Sequence, residues 1–552
     1  MKKLIILFSA IAVVAGGCKK SSLQVTDLNE PSLDVLKTEV GVVAYAKGFF
    51  KIGFGDQVVG SLDDGLGFGN LWIVEGFHEG MGDNIFVPWG NNDYKYVDNP
   101  LSVTLDNGTV VANPIGQGQQ YEMQLRNSRA YGATNSFLHE WTYMYFLNNS
   151  ANVLLSQLDV VSFTGNAATK KQILQAWAYW WKGYAYCRLG SMYLAGTIAD
   201  TANSTNGRFV DHDAMVTEGI ANLDKATQII GSLSAGGDYD ALVGLMMPGY
   251  MQVPHLPSPT EWARNIATFK ARSLLVNKRV KDMAAGDWAA ILALVNTGIQ
   301  ASDYAFGIRT ADNNSLGIIR NDNALDGSGN GGGSLQSELA GEGNTASVSE
   351  RSIQDFKSGD KRLSNNFSTL SSTVINLRGR SITFGTRYQL VAGGNGNGAY
   401  IYYNQTPGVD NFYVAASYEE NALMKAECLI HTSQVDAGLA IIDAIRTYQG
   451  AGLAAVSGTG LNETQAAEEL RKERRCALLY RGVAFYDLRR MGYADDVSKG
   501  GGRKGAVVLD GGGNLNTNAT INYSYMSYWD VPQNELDFNA PSSGSATLKN
   551  AK

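Results

Sequence analysis

Apolar and polar positions first fall into helical spacing from Thr38 through Phe50, after which glycine interrupts the chain repeatedly between Gly53 and Gly82. The stretch Gly65 to Gly118 reads as loop. A helical block follows over Gln119–Asp159, Thr169–Ala195 and Asp213–Leu233. Within it, Ala176 to Tyr193 is apolar nearly all round, the mark of a helix buried on more than one side. Its Leu189, Gly190 and Tyr193 form the Leu-Gly-x-x-Tyr element of tetratricopeptide helices, where glycine lets two helices approach closely. Further helices are predicted at Thr260–Val276 and Trp288–Ser302. Gly/Asn/Ser-rich sequence then intervenes, notably Asp326–Gly343 and Gly393–Gly398. Helical spacing resumes in a pair, Glu419–His431 and Asp436–Tyr448. A last long helix starts at Asn462, an N-cap with Gln465 as capping-box partner, and places Ala466, Leu470, Ala477, Tyr480, Ala484, Leu488 and Met491 on one face. Tyr523–Phe538 reads as an extended aromatic tail.

The N-terminus is an address. Lys2 and Lys3 precede an apolar run from Leu4 to Ala15, then Gly16, Gly17 and Cys18. The run is short for a membrane-spanning helix, and no later stretch reaches that length. A cysteine directly after small residues is the bacterial lipoprotein pattern, with cleavage before Cys18 and a lipid on its thiol. The polar stretch from Ser21 to Lys37 suits a tether. Cleavage removes Lys2 and Lys3 and takes the formal charge from −7 to −9. The other cysteines, Cys187, Cys428 and Cys476, lie in helical segments without C-x-x-C spacing and are expected as free buried thiols.

With 552 residues and 44% hydrophobic content the chain can bury a core without disulfides or metal. Its negative charge disfavours nucleic acid as a partner. Catalytic signatures fail in turn. No serine sits in G-x-S-x-G, and His78-Glu79 lacks the histidine three residues on that a zinc protease needs. Asp326–Gly331 starts like a calcium loop but has Ser337 at the twelfth position. Asp63, Asp64, Glu75, Glu79 and Asp83 cluster as a glycosidase pair would require. Glu75 and Glu79 would share a helix face, but Gly76, Gly80 and Gly82 argue against a helix there. No cofactor and no metal site is expected. The aromatics point elsewhere. Trp72, Phe77, Trp89, Tyr94 and Tyr96 share a loop-like stretch with Asp83, Asn84, Asn91, Asn92 and Asp93. Flat apolar faces beside amides and carboxylates suit a sugar ring, which has one apolar face and a rim of hydroxyls. The expected ligand contacts are Trp72, Asp83, Trp89, Asn91, Asn92, Tyr94 and Tyr96. Trp177, Trp180, Trp181, Tyr184 and Tyr193, at helical spacing, are expected in the core.

Four separated stretches together resemble the SusD/RagB family. They are Cys18 with Asp27–Ser32; Asn421–Glu427 with Ala444–Arg446; Glu473-Arg474 with Gly482, Phe485 and Asp487–Arg490; and Val531–Asp537. The family usually carries acidic residues where this chain has Ala477 and Arg481, and arginine where it has Ala484, which implies a rewired structural ion-pair network. The resemblance implies a mostly α fold of tetratricopeptide-like helix pairs with a loop-rich ligand lobe. Its expected divisions are 1–17 signal, 18–37 tether, 38–235 N-terminal helical region, 236–416 variable loop-rich region and 417–552 C-terminal region. The implied function is a non-catalytic outer-membrane lipoprotein, facing the cell exterior, that captures oligosaccharide and delivers it to a SusC-like TonB-dependent transporter. A peptide-capturing homologue and a glycoside hydrolase are the alternatives.

Overall fold

The computed structural model describes residues 33–53, 70–87, 94–247, 255–309, 346–375, 381–404 and 411–551. The N-terminal helices are α1 (Glu39–Gly53), α2 (Asn70–Met81), α3 (Tyr94–Val97), α4 (Gln119–Arg126), α5 (Leu138–Gln157), α6 (Ala167–Met192), α7 (His212–Ile230) and α8 (Asp238–Met246). There follow α9 (Pro259–Leu275) and α10 (Ala285–Val295), then α11 (Tyr418–His431), α12 (Val435–Tyr448), α13 (Glu463–Ala477) and α14 (Ala484–Arg490). The fold is mostly α, as the spacing predicts.

The apolar helix α6 is the axis of the core. Trp177, Trp180, Trp181, Tyr184 and Tyr193 are all buried; Trp177 lies edge-on to Trp262, and Trp180 is in edge and tilted contact with Phe269 and Phe306. Its crossing with α7 is close enough to require glycine on both helices. A Cβ on Gly183 would stand 2.5 Å from Leu223 Cγ, and one on Gly219 2.5 Å from Cys187 Sγ. The Leu189-Gly190-Tyr193 element has this meaning, with a Cβ on Gly190 falling 2.7 Å from the His212 carbonyl. The three cysteines described are free and buried, and burial pushes the thiols of Cys187 and Cys428 up to about 12.

Three expectations are corrected. The Gln119–Asp159 block is two helices, because the chain turns through Asn127–Phe137, where the Asn127 side chain accepts the Gln533 N–H at 2.7 Å. The last long helix stops at Ala477 and restarts at Ala484, although Asn462 and Gln465 do form the capping box. Tyr523–Phe538 is not wholly extended, since Gln533–Phe538 is helical.

Unforeseen altogether is a six-stranded sheet. Its strands β2 (Ser102–Thr104), β3 (Val110–Ala112), β8 (Phe367–Ile375), β9 (Gly385–Leu390), β11 (Arg503–Leu509) and β12 (Leu515–Asn522) run in the order β3-β2-β12-β11-β9-β8. Two smaller ladders bear on the site. In the first, β1 (Ile85–Phe86) pairs antiparallel with β7 (Ser347–Val348); in the second, β6 (Gly307–Arg309) pairs antiparallel with β10 (Asn411–Tyr413). The remaining short pair joins β4 (Ala195–Thr197) to β5 (Phe209–Asp211).

Candidate functional site

Part of the stretch read as loop, Asn70–Met81, is a helix. α2 forms in spite of Gly76 and Gly80 because residues 73–87 are buried without exception. Tertiary burial outweighs the roughly 1 kcal/mol that each helical glycine costs relative to alanine. Phe77 is core, its ring edge-on to Trp529 at 5.9 Å. Glu75 and Glu79 do share a face, and that face points inward. Glu79 accepts N–H bonds from Gly482 at 2.8 Å and Tyr480 at 3.1 Å, and one from Asn84 Nδ2 at 2.6 Å. Those bonds hold Tyr480 and Gly482 in the left-handed region, at φ 60° and 66°. This is the turn that breaks the predicted last helix into α13 and α14. Burial pushes the Glu79 carboxyl up to about 7 against these hydrogen bonds, and pushes that of Glu75 well above its ordinary range.

Gly82 follows α2, so close to α14 that a Cβ would lie 2.2 Å from that of Ala484. Asp83 comes next, left-handed at φ 68° and fully buried. Its carboxylate pairs with Arg351 Nη1 at 2.6 Å and Arg503 Nη1 at 3.2 Å, and accepts the Tyr523 hydroxyl. Arg351 also reaches Asp98 at 3.5 Å, which takes the Tyr525 hydroxyl at 3.2 Å; burial pushes the Asp98 carboxyl up to about 6 despite Arg351. Arg503 continues to Asp355 at 3.0 Å, where Arg471, at 3.2 Å, and Arg475 converge. Burial works to raise Asp355, but the guanidiniums of Arg503, Arg475 and Arg471 overcome it and hold the carboxyl far below the usual range.

This clamp ties the end of α2 to the short helix Glu350–Ile353, to α13 and to the sheet. It fixes the β1–β7 ladder, with Ile85 opposite Val348 and Phe86 opposite Ser347. The β6–β10 ladder sets Asn411 opposite Arg309 in the same way. The described ends before 88–93, on both sides of 310–345 and after 405–410 are therefore held in two short paired stems. The cavity beside the clamp, lined by Arg471, Arg474, Arg475, Arg503, Asp83 and Asp487, holds about 30 Å³, room for a water rather than a sugar ring.

Of the residues predicted to touch ligand, Asp83 is thus enclosed in ion pairs. Tyr96 is buried, with the Arg126 guanidinium 3.4 Å above its ring. The expectation that these two face a ligand is corrected for the described residues: both side chains are turned into the protein. Trp72 lies in the first turn of α2 and Tyr94 begins α3. Trp89, Asn91 and Asn92 lie outside the described residues, as do Cys18 and the Asp326–Gly331 segment. Sequence reasoning missed Asp98, Arg351, Asp355 and Arg503, which stand up to 420 positions from Asp83 with no local motif to announce them. Arg481 Nη2 donates to the Tyr400 hydroxyl at 2.5 Å, and the guanidinium stands 3.8 Å over the Tyr413 ring. No group of three or more His, Cys, Asp or Glu among the described residues could hold a metal ion. No described helix is long and apolar enough to cross a membrane.

The fold is similar to those of solved SusD-superfamily structures. A SusD-like carbohydrate-binding protein from Bacteroides fragilis superposes with a TM-score of 0.58 at 14% identity, over 91% of this chain and 98% of that one. A SusD-superfamily protein from the same organism gives 0.56 at 14% identity, over 92% and 100%. The surface glycan-binding protein A of Bacteroides thetaiotaomicron gives 0.53 at 13%, over 91% and 98%. No curated protein sequence matches the chain. The SusD family model matches residues 288–542, a little under half of the chain.

Proposed function

We propose that the protein is a non-catalytic, lipid-anchored outer-membrane receptor that captures oligosaccharide or polysaccharide at the cell surface and passes it to a SusC-like TonB-dependent transporter. Cys18 is the proposed lipid attachment site, tested by mass spectrometry of the membrane-extracted protein. The observation that carries the reading is the clamp at Asp83. It commits seven charged side chains, Asp83, Asp98, Arg351, Asp355, Arg471, Arg475 and Arg503, to the end of α2 and the β1–β7 stem. Rigid stems make recognition by the segments they flank less costly in conformational entropy. Two solved relatives of the same fold are described as carbohydrate-binding or glycan-binding, which supports a glycan as ligand.

Trp72, Trp89, Asn91, Asn92 and Tyr94 are the proposed contacts, while Asp83 and Tyr96 act as positioning residues behind them. A buried ion pair cannot take a sugar hydroxyl without losing its own partners. An aromatic contact at the centre of such a site contributes about 1–3 kcal/mol, roughly a five- to hundredfold change in affinity. Calorimetry with a panel of neutral and acidic oligosaccharides is expected to show binding by the wild type and its loss in Trp89→Ala, with the melting temperature unchanged. Equal affinity in a folded Trp89→Ala protein would remove that residue from the site.

A further inference from the structure

A second site lies one helix away from the proposed contacts. α4 packs against α3 through Gln119 Nε2, which donates to the Val97 carbonyl at 2.7 Å, and through Arg126 over Tyr96. On the outer side of α4 is an open groove of about 610 Å³, lined by Leu101, Gln117, Gln120, Tyr121, Gln124 and Leu125 and closed by Ser524 and the tail at Ala551. That volume is in the range of small-molecule sites. None of the described lining residues carries a charge.

Three features make this groove a built site. Tyr121 and Leu125, four apart on one face, are 49% and 51% exposed, an apolar strip the width of a ring. The carboxamides beside it are held by the tail: Gln120 Nε2 donates to the Ala551 carbonyl at 2.5 Å, and Gln124 Nε2 to Asp530 at 2.9 Å and the Asn550 carbonyl at 3.1 Å. Gln124 thus donates both of its N–H groups and Gln120 one, so each carboxamide is held through its nitrogen and keeps Oε1 as an acceptor. The tail itself is pinned, since Asn550 donates to Asp530 and to the Tyr528 carbonyl at 2.7 and 2.8 Å. Oriented acceptors around a half-exposed aromatic strip, without charge, fit hydroxyls ringing an apolar face.

The geometry points to this groove as a subsite for a neutral saccharide, adjoining the proposed contacts around α3 and able to take further units of the same chain. The choice of saccharide as ligand class rests on the function proposed above; the groove and its neutrality do not. Protein labelled with 3-fluorotyrosine, with the Tyr121 resonance assigned through Tyr121→Phe, reports occupancy directly. The probes are malto-, cello-, xylo- and mannohexaose, with trigalacturonate as the acidic control.

At least one neutral hexaose at about 10 mM is expected to move the Tyr121 resonance, in the wild type and in Trp89→Ala alike. Tyr121→Ala is expected to weaken that hexaose about tenfold without changing the melting temperature. A hexaose that binds the wild type and leaves Tyr121 unmoved overturns the subsite and spares the contacts near Trp89. Movement of Tyr121 with unchanged affinity in Trp89→Ala does the reverse. If no probe binds or moves Tyr121, both readings fall. Equal response to trigalacturonate overturns the neutral class, and response only to a peptide mixture overturns the saccharide.

Discussion

The α6–α7 crossing and the clamp around Asp83 solve one problem by opposite means. Each must bring separate pieces of chain within contact distance in a dry interior. At the crossing, side chains are removed: glycines let the helices meet, and aromatic and aliphatic surface does the rest. At the clamp, charges are added, and each buried carboxylate meets at least one guanidinium. Apolar contact is non-directional, so the crossing tolerates small adjustments. Paired charges in a dry interior are directional and fix one register, but they leave a large penalty if any partner is lost. The crossing suits a scaffold, and the clamp suits strand stems that must be held in one place.

The comparison breaks most sharply at Arg351. Arg351→Met leaves Asp83 and Asp98 buried with a lost partner and is expected to cost about 3–5 kcal/mol in denaturant unfolding. Glycan affinity should fall along with it, because the β1–β7 stem loosens; a change below about 1 kcal/mol would show that water reaches the clamp. At the crossing, Gly219→Val drives methyl groups into Cys187 and is expected to cost about 3 kcal/mol by overpacking. The loss there should be the same at pH 5 and pH 8.

Charge also makes the neighbourhood of the clamp pH-sensitive, with a definite sign. Glu79 and Asp98 are raised in the fold to about 7 and about 6, above ordinary values of 4.5 and 3.8. Their folded forms therefore bind protons that the unfolded chain releases. The resulting stability is complete below the ordinary values and disappears as pH rises through 6 and 7. Unfolding free energy should decline by about 2 kcal/mol per group between pH 5 and pH 8, and Glu79→Gln should remove its share of that slope. Asp355 works the other way, contributing above the ordinary carboxylate range and losing its contribution only in strong acid. Because burial lowers the pKa of the neighbouring His78 and makes it work in the opposite direction, the test is the difference between variants: an identical profile in wild type and Glu79→Gln would mean that Glu79 is not dry. The smallest effect is expected at Arg126→Met, which removes the cation over Tyr96 and the 2.6 Å pair with Glu122. About 0.5–1 kcal/mol of stability should go, with glycan affinity intact if Tyr96 only positions its neighbours.

What the sequence discloses follows the range of the interactions involved. The burial of α6, the role of Gly190, the Asn462 cap and the α11–α12 pair are each written in the local residue pattern of one helix or helix pair, even where the partners are distant, and all are legible. Helix α2 is misread because its stability comes from burial on every side, which a glycine count does not register. The sheet escapes because its strands are short and polar on one face, as in Leu515-Asn-Thr-Asn-Ala-Thr. Asp83 shows where the ligand reading strays. An aspartate after glycine in an aromatic stretch looks available to solvent until Arg351, Arg503 and Tyr523 are brought to it from far along the chain. For Trp72, Trp89, Asn91, Asn92 and Tyr94 the reading remains one of residue type and spacing, and calorimetry on Trp89→Ala addresses it directly.

The pairing of β2 with β12 also bears on how the chain is made. Val103 faces Ile521 across that ladder, and Asp83 waits for Tyr523, so the first hundred residues cannot complete their contacts until the chain has been made beyond residue 520. Closing such long loops is slow. A chain still lacking β12 therefore stays open around β2 and the end of α2, and closes there only when that strand arrives.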